Sequence, residues 1–230
     1  MPQRPGVMAP RHLRRLSRPA ELQPHFARMN VAGLIVGLGN PGKEYERTRH
    51  NLGFMAVDAL MDAAARETGG GCDQLSGGKK KYDLWRCRIT STGNPWLVAK
   101  PQTFMNLSGE AVLAIASYYR IKPGAILVVH DELDIPLGRM KFKTGGGNAG
   151  HNGLKSITQL LGTPDFHRLR LGIGRSPHGG ETTNWVLGRL SGPEQTLLDE
   201  LLPAAVQAMT TFASQGATAA TQFANAYKPD

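Results

Sequence analysis

His50 closes the stretch Leu34 to Asn51, L-I-V-G-L-G-N-P-G-K-E-Y-E-R-T-R-H-N, just before helical periodicity begins at Leu52. A neutral imidazole, with an unperturbed pKa of about 6.5, can take a proton from water near neutral pH, so His50 is read as the reactive group. A second cluster, His130, Asp131, Glu132 and Asp134, stands at the end of the apolar run Ala125 to His130. Ligands of open α/β sheets gather at the carboxyl ends of strands, so a carboxylate is well placed there. A third segment, Thr144 to Gly153, is rich in glycine and ends in His151-Asn152 before a helix. Its glycines would let backbone amides approach a phosphate or a ribose closely.

Competing motif readings fail on context. Gly37, Gly39 and Gly42 spell the dinucleotide fingerprint, but Pro41 holds Asn40 extended and a polar stretch separates Gly42 from the first helix. A true fingerprint opens its helix within the glycines. Asn106-Leu107-Ser108 fits a glycosylation sequon, which carries meaning only in a secreted chain. Asn106 or Ser108 could instead cap the helix that follows. Asp131, Glu132 and Asp134 could hold a divalent ion, yet no second cluster of oxygen ligands accompanies them, and no metal is expected. A generic esterase would need a G-x-S-x-G elbow, which is missing from the sequence.

The elements that would position these groups alternate in type. Leu52, Met55, Ala56, Ala59, Leu60 and Ala63 recur at helical spacing up to Gly69-Gly70-Gly71. Strands are expected from Tyr82 to Ile89 and from Trp96 to Lys100, joined by a turn at Thr92 to Pro95. A helix from Glu110 to Tyr119 follows, and then the run Ala125 to His130, whose continuous apolarity marks a central strand covered on both faces. Gly138 to Lys143 alternates, placing Arg139, Lys141 and Lys143 on one face as a basic stripe. A helix carrying Leu154, Ile157, Leu160 and Leu161 leads to a strand from Phe166 to Gly174. There Arg168 and Arg170 point the same way. Ser191 to Glu194 reads as a capping box opening a long C-terminal helix.

The 230 residues suffice for one α/β domain. Of the net +9, residues 1–28 contribute a surplus of five, from six arginines against Glu21 alone. An anionic partner is favoured, moderately for the folded part and strongly only for the tail. Residues 1–30 are read as an Arg-rich, disordered extension, with a transit peptide or a start at Met29 as alternatives, and 31–230 as the domain proper. Residues 76–81 form a basic loop. Cys72 and Cys87 lack metal-like spacing and are read as reduced thiols. No stretch approaches the ~20 apolar residues of a membrane span, and no secretory core follows the early arginines, so a cytoplasmic protein is expected.

Three blocks carry a family resemblance: Tyr45-Glu46-Arg47-Thr48-Arg49-His50-Asn51-Leu52-Gly53, Phe104-Met105-Asn106-Leu107-Ser108-Gly109, and Gly147-Asn148-Ala149-Gly150-His151-Asn152-Gly153-Leu154-Lys155. With G-L-G-N-P-G and H-D-E-L-D in order, the chain from about residue 33 to 226 resembles bacterial-type peptidyl-tRNA hydrolase. The resemblance implies a single α/β domain with a twisted mixed, largely parallel sheet flanked by helices. It implies hydrolysis of the ester between a peptide and the 3'-terminal ribose of tRNA, by a monomer without metal or cofactor. His50 would be the base, Asp131 would hold its other ring nitrogen, and Asn40 would help tell blocked from free aminoacyl groups. Tyr45, Phe104, Met105, Asn106, His151 and Asn152 would contact substrate at the CCA end. Lys141, Lys143, Arg168 and Arg170 would meet the acceptor-stem backbone. Asn148-Ala149 departs from the histidine and glycine of many members. A non-enzymatic RNA-binding relative is the rival reading, and the presence of His50, Asp131 and the three asparagines favours the enzyme.

Overall fold

In the computed structural model, which describes residues 30–67, 69–75, 81–176 and 181–229, seven strands form one sheet. The strands are β1 Leu34–Gly37, β2 Gly71–Gln74, β3 Tyr82–Arg88, β4 Trp96–Pro101, β5 Ile126–Glu132, β6 Met140–Thr144 and β7 His167–Gly172, in the order β2-β3-β4-β1-β5-β7-β6. The four central strands β4, β1, β5 and β7 run parallel, while β2, β3 and β6 add antiparallel margins. The expected tail and most of the basic loop, residues 1–29 and 76–80, lie outside the described residues; Lys81 is ion-paired with Glu110 at 2.7 Å.

Six helices cover the sheet: α1 Leu52–Arg66, α2 Ser108–Tyr119, α3 Asn152–Leu161, α4 Thr182–Val186, α5 Gly192–Gln215 and α6 Ala217–Ala226. Side chains alternate across a strand, and the central strands split accordingly. Ile35, Val98, Leu127 and Val129 join a core that includes residues of α1, α5 and α6, whereas Leu34, Val36, Leu97, Ala99, Ile126 and Val128 join a second core with α2 and α3. Both faces of β5 are buried along its whole length, as its unbroken apolarity predicts.

Two elements were not expected. β2, G-C-D-Q, has neither alternation nor length, and α4, T-T-N-W-V, is too short to show a period. The reading of Cys72 and Cys87 as free thiols is corrected by β2: its antiparallel pairing with β3 sets the two opposite one another, and they form a disulfide. The expected capping box is present, with Glu194 accepting from Ser191 N–H at 2.7 Å.

The close seating of α1 on the strand ends is what brings His50 into the sheet. A Cβ on Gly53 would lie 2.3 Å from Leu38 N and 2.3 Å from Val129 O, backbone atoms just after β1 and in the middle of β5. Neither atom can yield without breaking the Leu38 N–H to Val129 C=O bond of 2.9 Å. Gly53→Ala is expected to destabilise the fold by roughly 2–4 kcal/mol through overpacking, measured as a lower urea midpoint with unchanged slope.

Candidate active site

Two connections and a strand end converge at the carboxyl ends of the parallel strands. Leu38 to Asn51 follows β1 and carries Asn40 and His50; Gln102 to Leu107 follows β4 and carries Phe104, Met105 and Asn106; β5 itself ends in His130, Asp131 and Glu132. The glycine-rich segment before α3 adds His151 and Asn152. Together, His130 apart, they line an open cleft of about 700 Å³, whose far wall includes Thr182, Thr183, Val186 and Leu187 from the α4 region.

His50 Nδ1 donates to Asp131 Oδ1 at 2.9 Å, and His151 Nε2 donates to the same oxygen at 3.1 Å. Asp131 is 3% exposed. Burial alone would raise its pKa, but the electrostatic pull of the neighbouring His50 and His151 rings and their hydrogen bonds outweigh that and hold the carboxyl well below its ordinary range. Proton positions follow from the partners. His151 Nδ1 accepts from Gly153 and Leu154 N–H at 3.1 and 3.4 Å, capping α3, so its proton is on Nε2. His50, with Nδ1–H committed to Asp131, presents a free Nε2 lone pair to the cleft.

His50, Asp131 and His151 place their potential ligand atoms within 4.8 Å of one another, close enough for a metal ion. The proton roles oppose it. A metal on His151 Nε2 would require the proton at Nδ1, facing the two backbone N–H groups that this nitrogen now accepts. The acids read as a possible oxygen cluster are committed to cations instead: Glu132 to Arg170 at 3.0 Å and Asp134 to Arg175 at 2.6 Å.

The remaining expected residues fall into distinct places. Asn40 is buried and its Oδ1 accepts from Met105 N–H at 2.7 Å. Asn106 and Asn152 are exposed at the cleft, and Phe104 is 57% exposed there. Tyr45 does not line the cleft; it packs edge-on against Phe104 at 6.4 Å between ring centroids. The helix-capping reading of Asn106 and Ser108 is not seen: the first-turn Gly109 N–H of α2 donates to Ser156 Oγ at 3.0 Å, and the Ser108 hydroxyl donates back to Met105 C=O.

Lys141 and Lys143 stand opposite Arg170 and Arg168 across the β6–β7 pair, so the expected basic face forms. One member is corrected. Arg168 is fully buried and donates to the Gly147, Gly146 and Asn148 oxygens at 2.6, 2.9 and 3.4 Å, bracing the glycine-rich loop instead of facing RNA. Arg170 is shared with Glu132. In the same loop Ala149 takes a φ of 46°, a conformation glycine adopts more readily.

Sequence reading missed Asn51, the α4 wall and the Arg49 clamp. Arg49 is 5% exposed; its guanidinium meets both Glu194 oxygens at 2.7 Å and lies 3.8 Å from the Trp185 ring centroid. This ties the turn bearing His50 to the start of α5. The signal was present as R-H in the motif, but its partners lie about 140 residues away.

The family model for peptidyl-tRNA hydrolase matches residues 34–230. The chain belongs to the peptidyl-tRNA hydrolase family. It is 96% identical over 202 residues to the peptidyl-tRNA hydrolase of Nitratidesulfovibrio vulgaris strain Miyazaki F, covering 88% of this chain and 100% of that one. The relative from strain DP4 is 69% identical, over 87% of this chain and 100% of its own length. Among solved structures, a peptidyl-tRNA hydrolase crystallised with N-propanol superposes with a TM-score of 0.78 at 38% identity, over 87% of this chain and 99% of that one. The Acinetobacter baumannii enzyme superposes with a TM-score of 0.77 at 37% identity, with the same coverage of both chains, 87% and 99%. As a family member the chain is a hydrolase. No helix among the described residues is long and apolar enough to cross a membrane.

His130 has no place in that chemistry, but it sets a pH limit. Its Nδ1 donates to the Asp131 backbone carbonyl at 2.7 Å, and its Nε2 is buried without a partner among the described residues. Burial and the adjacent His151 and Arg168 hold its pKa well below the ordinary value, against a smaller upward pull from Asp131. The unfolded chain therefore takes up a proton near pH 6.5 that the native state refuses. This contribution to stability is complete above about pH 6.5 and declines by up to about 1.4 kcal/mol per unit as pH falls below it. His130→Gln is expected to flatten the loss of melting temperature between about pH 6.5 and 5, read by calorimetry.

Proposed function

We propose that the protein hydrolyses the ester joining a peptide, or an N-blocked aminoacyl group, to the 3'-terminal ribose of tRNA, with His50 as general base and no metal or cofactor. It would thereby return tRNA from prematurely released peptidyl-tRNA to translation. The observation that carries this reading is the His50–Asp131 bond of 2.9 Å at the wall of an open cleft. Asp131 fixes the ring so that Nε2 faces the cleft. That nitrogen takes a proton from water as the water oxygen bonds to the ester carbonyl carbon. The carbonyl bond to the ribose oxygen then breaks, and the proton on Nε2 passes to that leaving oxygen. Asn40, whose Oδ1 is held by Met105 N–H, has its Nδ2 left to donate to the carbonyl oxygen as charge develops.

Asn106 and Asn152 supply neutral amides that donate and accept at once, suited to peptide and ribose edges. A free aminoacyl group would offer an ammonium to dipoles arranged for an amide, which is a poor match. Phe104, with Met105 beneath it and Tyr45 behind, gives the peptide or the terminal base an apolar surface. His151 acts on substrate indirectly, through Asp131 and the start of α3. On this reading the protein acts as a monomer in the cytoplasm.

The tRNA backbone is assigned to Lys141 and Lys143, with Arg170 at their side. Burial, Arg170 and Arg168 push the Lys143 ammonium below its ordinary value, a sign that this face holds more cations than anions. An arriving phosphate would relieve that crowding.

His50→Ala is expected to lower kcat by about 10²- to 10⁴-fold on N-acetylaminoacyl-tRNA in EDTA, with tRNA binding retained. Asp131→Asn should also slow the reaction strongly in a folded protein, because the ring loses its charged acceptor. Retained turnover in the first variant would transfer the base to another residue, whereas tRNA binding without turnover in the unsubstituted protein would assign it the non-enzymatic RNA-binding role. Lys141→Ala with Lys143→Ala should raise KM for full-length tRNA by roughly tenfold with kcat kept, and reduce the log–log salt dependence by about one unit per lost phosphate contact. An unchanged salt slope would move the RNA face elsewhere.

A further inference from the structure

Asn51 departs from what its position predicts. It stands at the N-cap of α1, where asparagine ordinarily accepts from an amide of the first turn, yet its side chain makes no capping bond. It turns back to Asn40 instead. Asn51 Oδ1 accepts from Asn40 N–H at 2.8 Å, and Asn51 Nδ2 donates to Asn40 C=O at 3.0 Å. The two residues are 4% and 7% exposed, so an unmatched group on either side would stay desolvated. The first-turn amide that such a cap would serve, Phe54 N–H, donates to Leu38 C=O at 3.1 Å, which leaves the Asn51 carboxamide for this pair of bonds.

The consequence falls on Asn40. Its peptide N–H and C=O are held by Asn51 and its side-chain Oδ1 by Met105 N–H at 2.7 Å. Only the carboxamide Nδ2 is left, on a residue that lines the cleft. The two bonds fix both ends of the Asn40 backbone, and the third decides which way its amide is flipped.

We infer that Asn51 is a positioning residue for the hydrolysis: it fixes the backbone of Asn40 and so aims Asn40 Nδ2 at the ester carbonyl oxygen. This rests on the role proposed for Asn40 above. Although Asn51 is the chain neighbour of His50, its side-chain bonds go to Asn40, and it acts on the oxyanion side of the reaction instead of the base.

The test compares Asn51→Leu, Asn40→Ala and the double variant on N-acetylaminoacyl-tRNA, with thermal unfolding of each. Leucine keeps asparagine's branching and number of heavy atoms, lacks its hydrogen-bonding groups and adds no charge. The expected result is a fall in kcat of about 10- to 100-fold, below the 10²–10³ typical of losing an oxyanion donor outright. KM and the pH of half-maximal kcat should not move. Added to Asn40→Ala, Asn51→Leu should cost less than about a further twofold, as expected of residues acting as a unit. Additive losses, or a displaced pH midpoint, overturn the inference by assigning Asn51 to His50 or to general folding. A damaging Asn40→Ala beside a neutral Asn51→Leu overturns it alone, whereas a neutral Asn40→Ala removes the role of Asn40 and the inference with it. Should Asn51→Leu fail to fold, Asn51→Ser, too short to span both atoms, is read by the same criteria.

Discussion

A carboxylate with 3% exposure has to be surrounded by donors, and the site is built around meeting that demand for Asp131. Two imidazole N–H groups converge on Oδ1. Each bond settles the tautomer of a ring, and each ring then has one nitrogen left for another task. His151 uses its second nitrogen to accept from the first amides of α3, so the charge at the end of β5 is connected to the helix that carries Asn152. His50 keeps its second nitrogen for the cleft. One buried charge thus orients both the His50 ring and the segment facing it.

Such an arrangement works only if the backbone segments approach closely, and small residues allow this. A Cβ on Gly37 would lie 2.3 Å from Gly53 O, and one on Gly109 would lie 2.4 Å from Ser156 O. These contacts seat α1 on β1 and α2 on α3, which draws the connections after β1 and β4 together. The Arg49 clamp secures the same turn from the other side, joining it to Trp185 and Glu194. Burial opposes ionisation of Glu194, but the Arg49 and Ser191 hydrogen bonds keep it ionised below its ordinary pKa. One carboxylate therefore serves both the capping box and the clamp.

Much of this was legible in the amino-acid sequence, for identifiable reasons. β5 announced itself through unbroken apolarity, and Asp131 through its place at the end of that run. His50 was marked by the abrupt start of helical spacing at Leu52. What stayed hidden depends on partners distant in sequence or on backbone groups that have no letters. Asn51 carries no signal of its own, because its bonds go to the peptide of Asn40. Cys72 reads as a free thiol until β2 pairs with β3. The α4 wall of the cleft belongs to a five-residue helix whose sequence has no period to detect.

The arginines on β7 mark where pattern reading stops. Alternation correctly placed Arg168 and Arg170 on one face, and the β6–β7 pairing placed Lys141 and Lys143 beside them. Direction, however, is not availability. Arg168 spends its planar set of donors on three oxygens of the glycine-rich loop, a task suited to a guanidinium and not to an ammonium. Arg170 is partly neutralised by Glu132, the residue after Asp131. The exposed lysine, Lys141, can follow a moving polyanion with a flexible point charge. The basic face is therefore layered: an inner arginine holds the loop that carries His151 and Asn152, and Lys141 stands exposed beyond it.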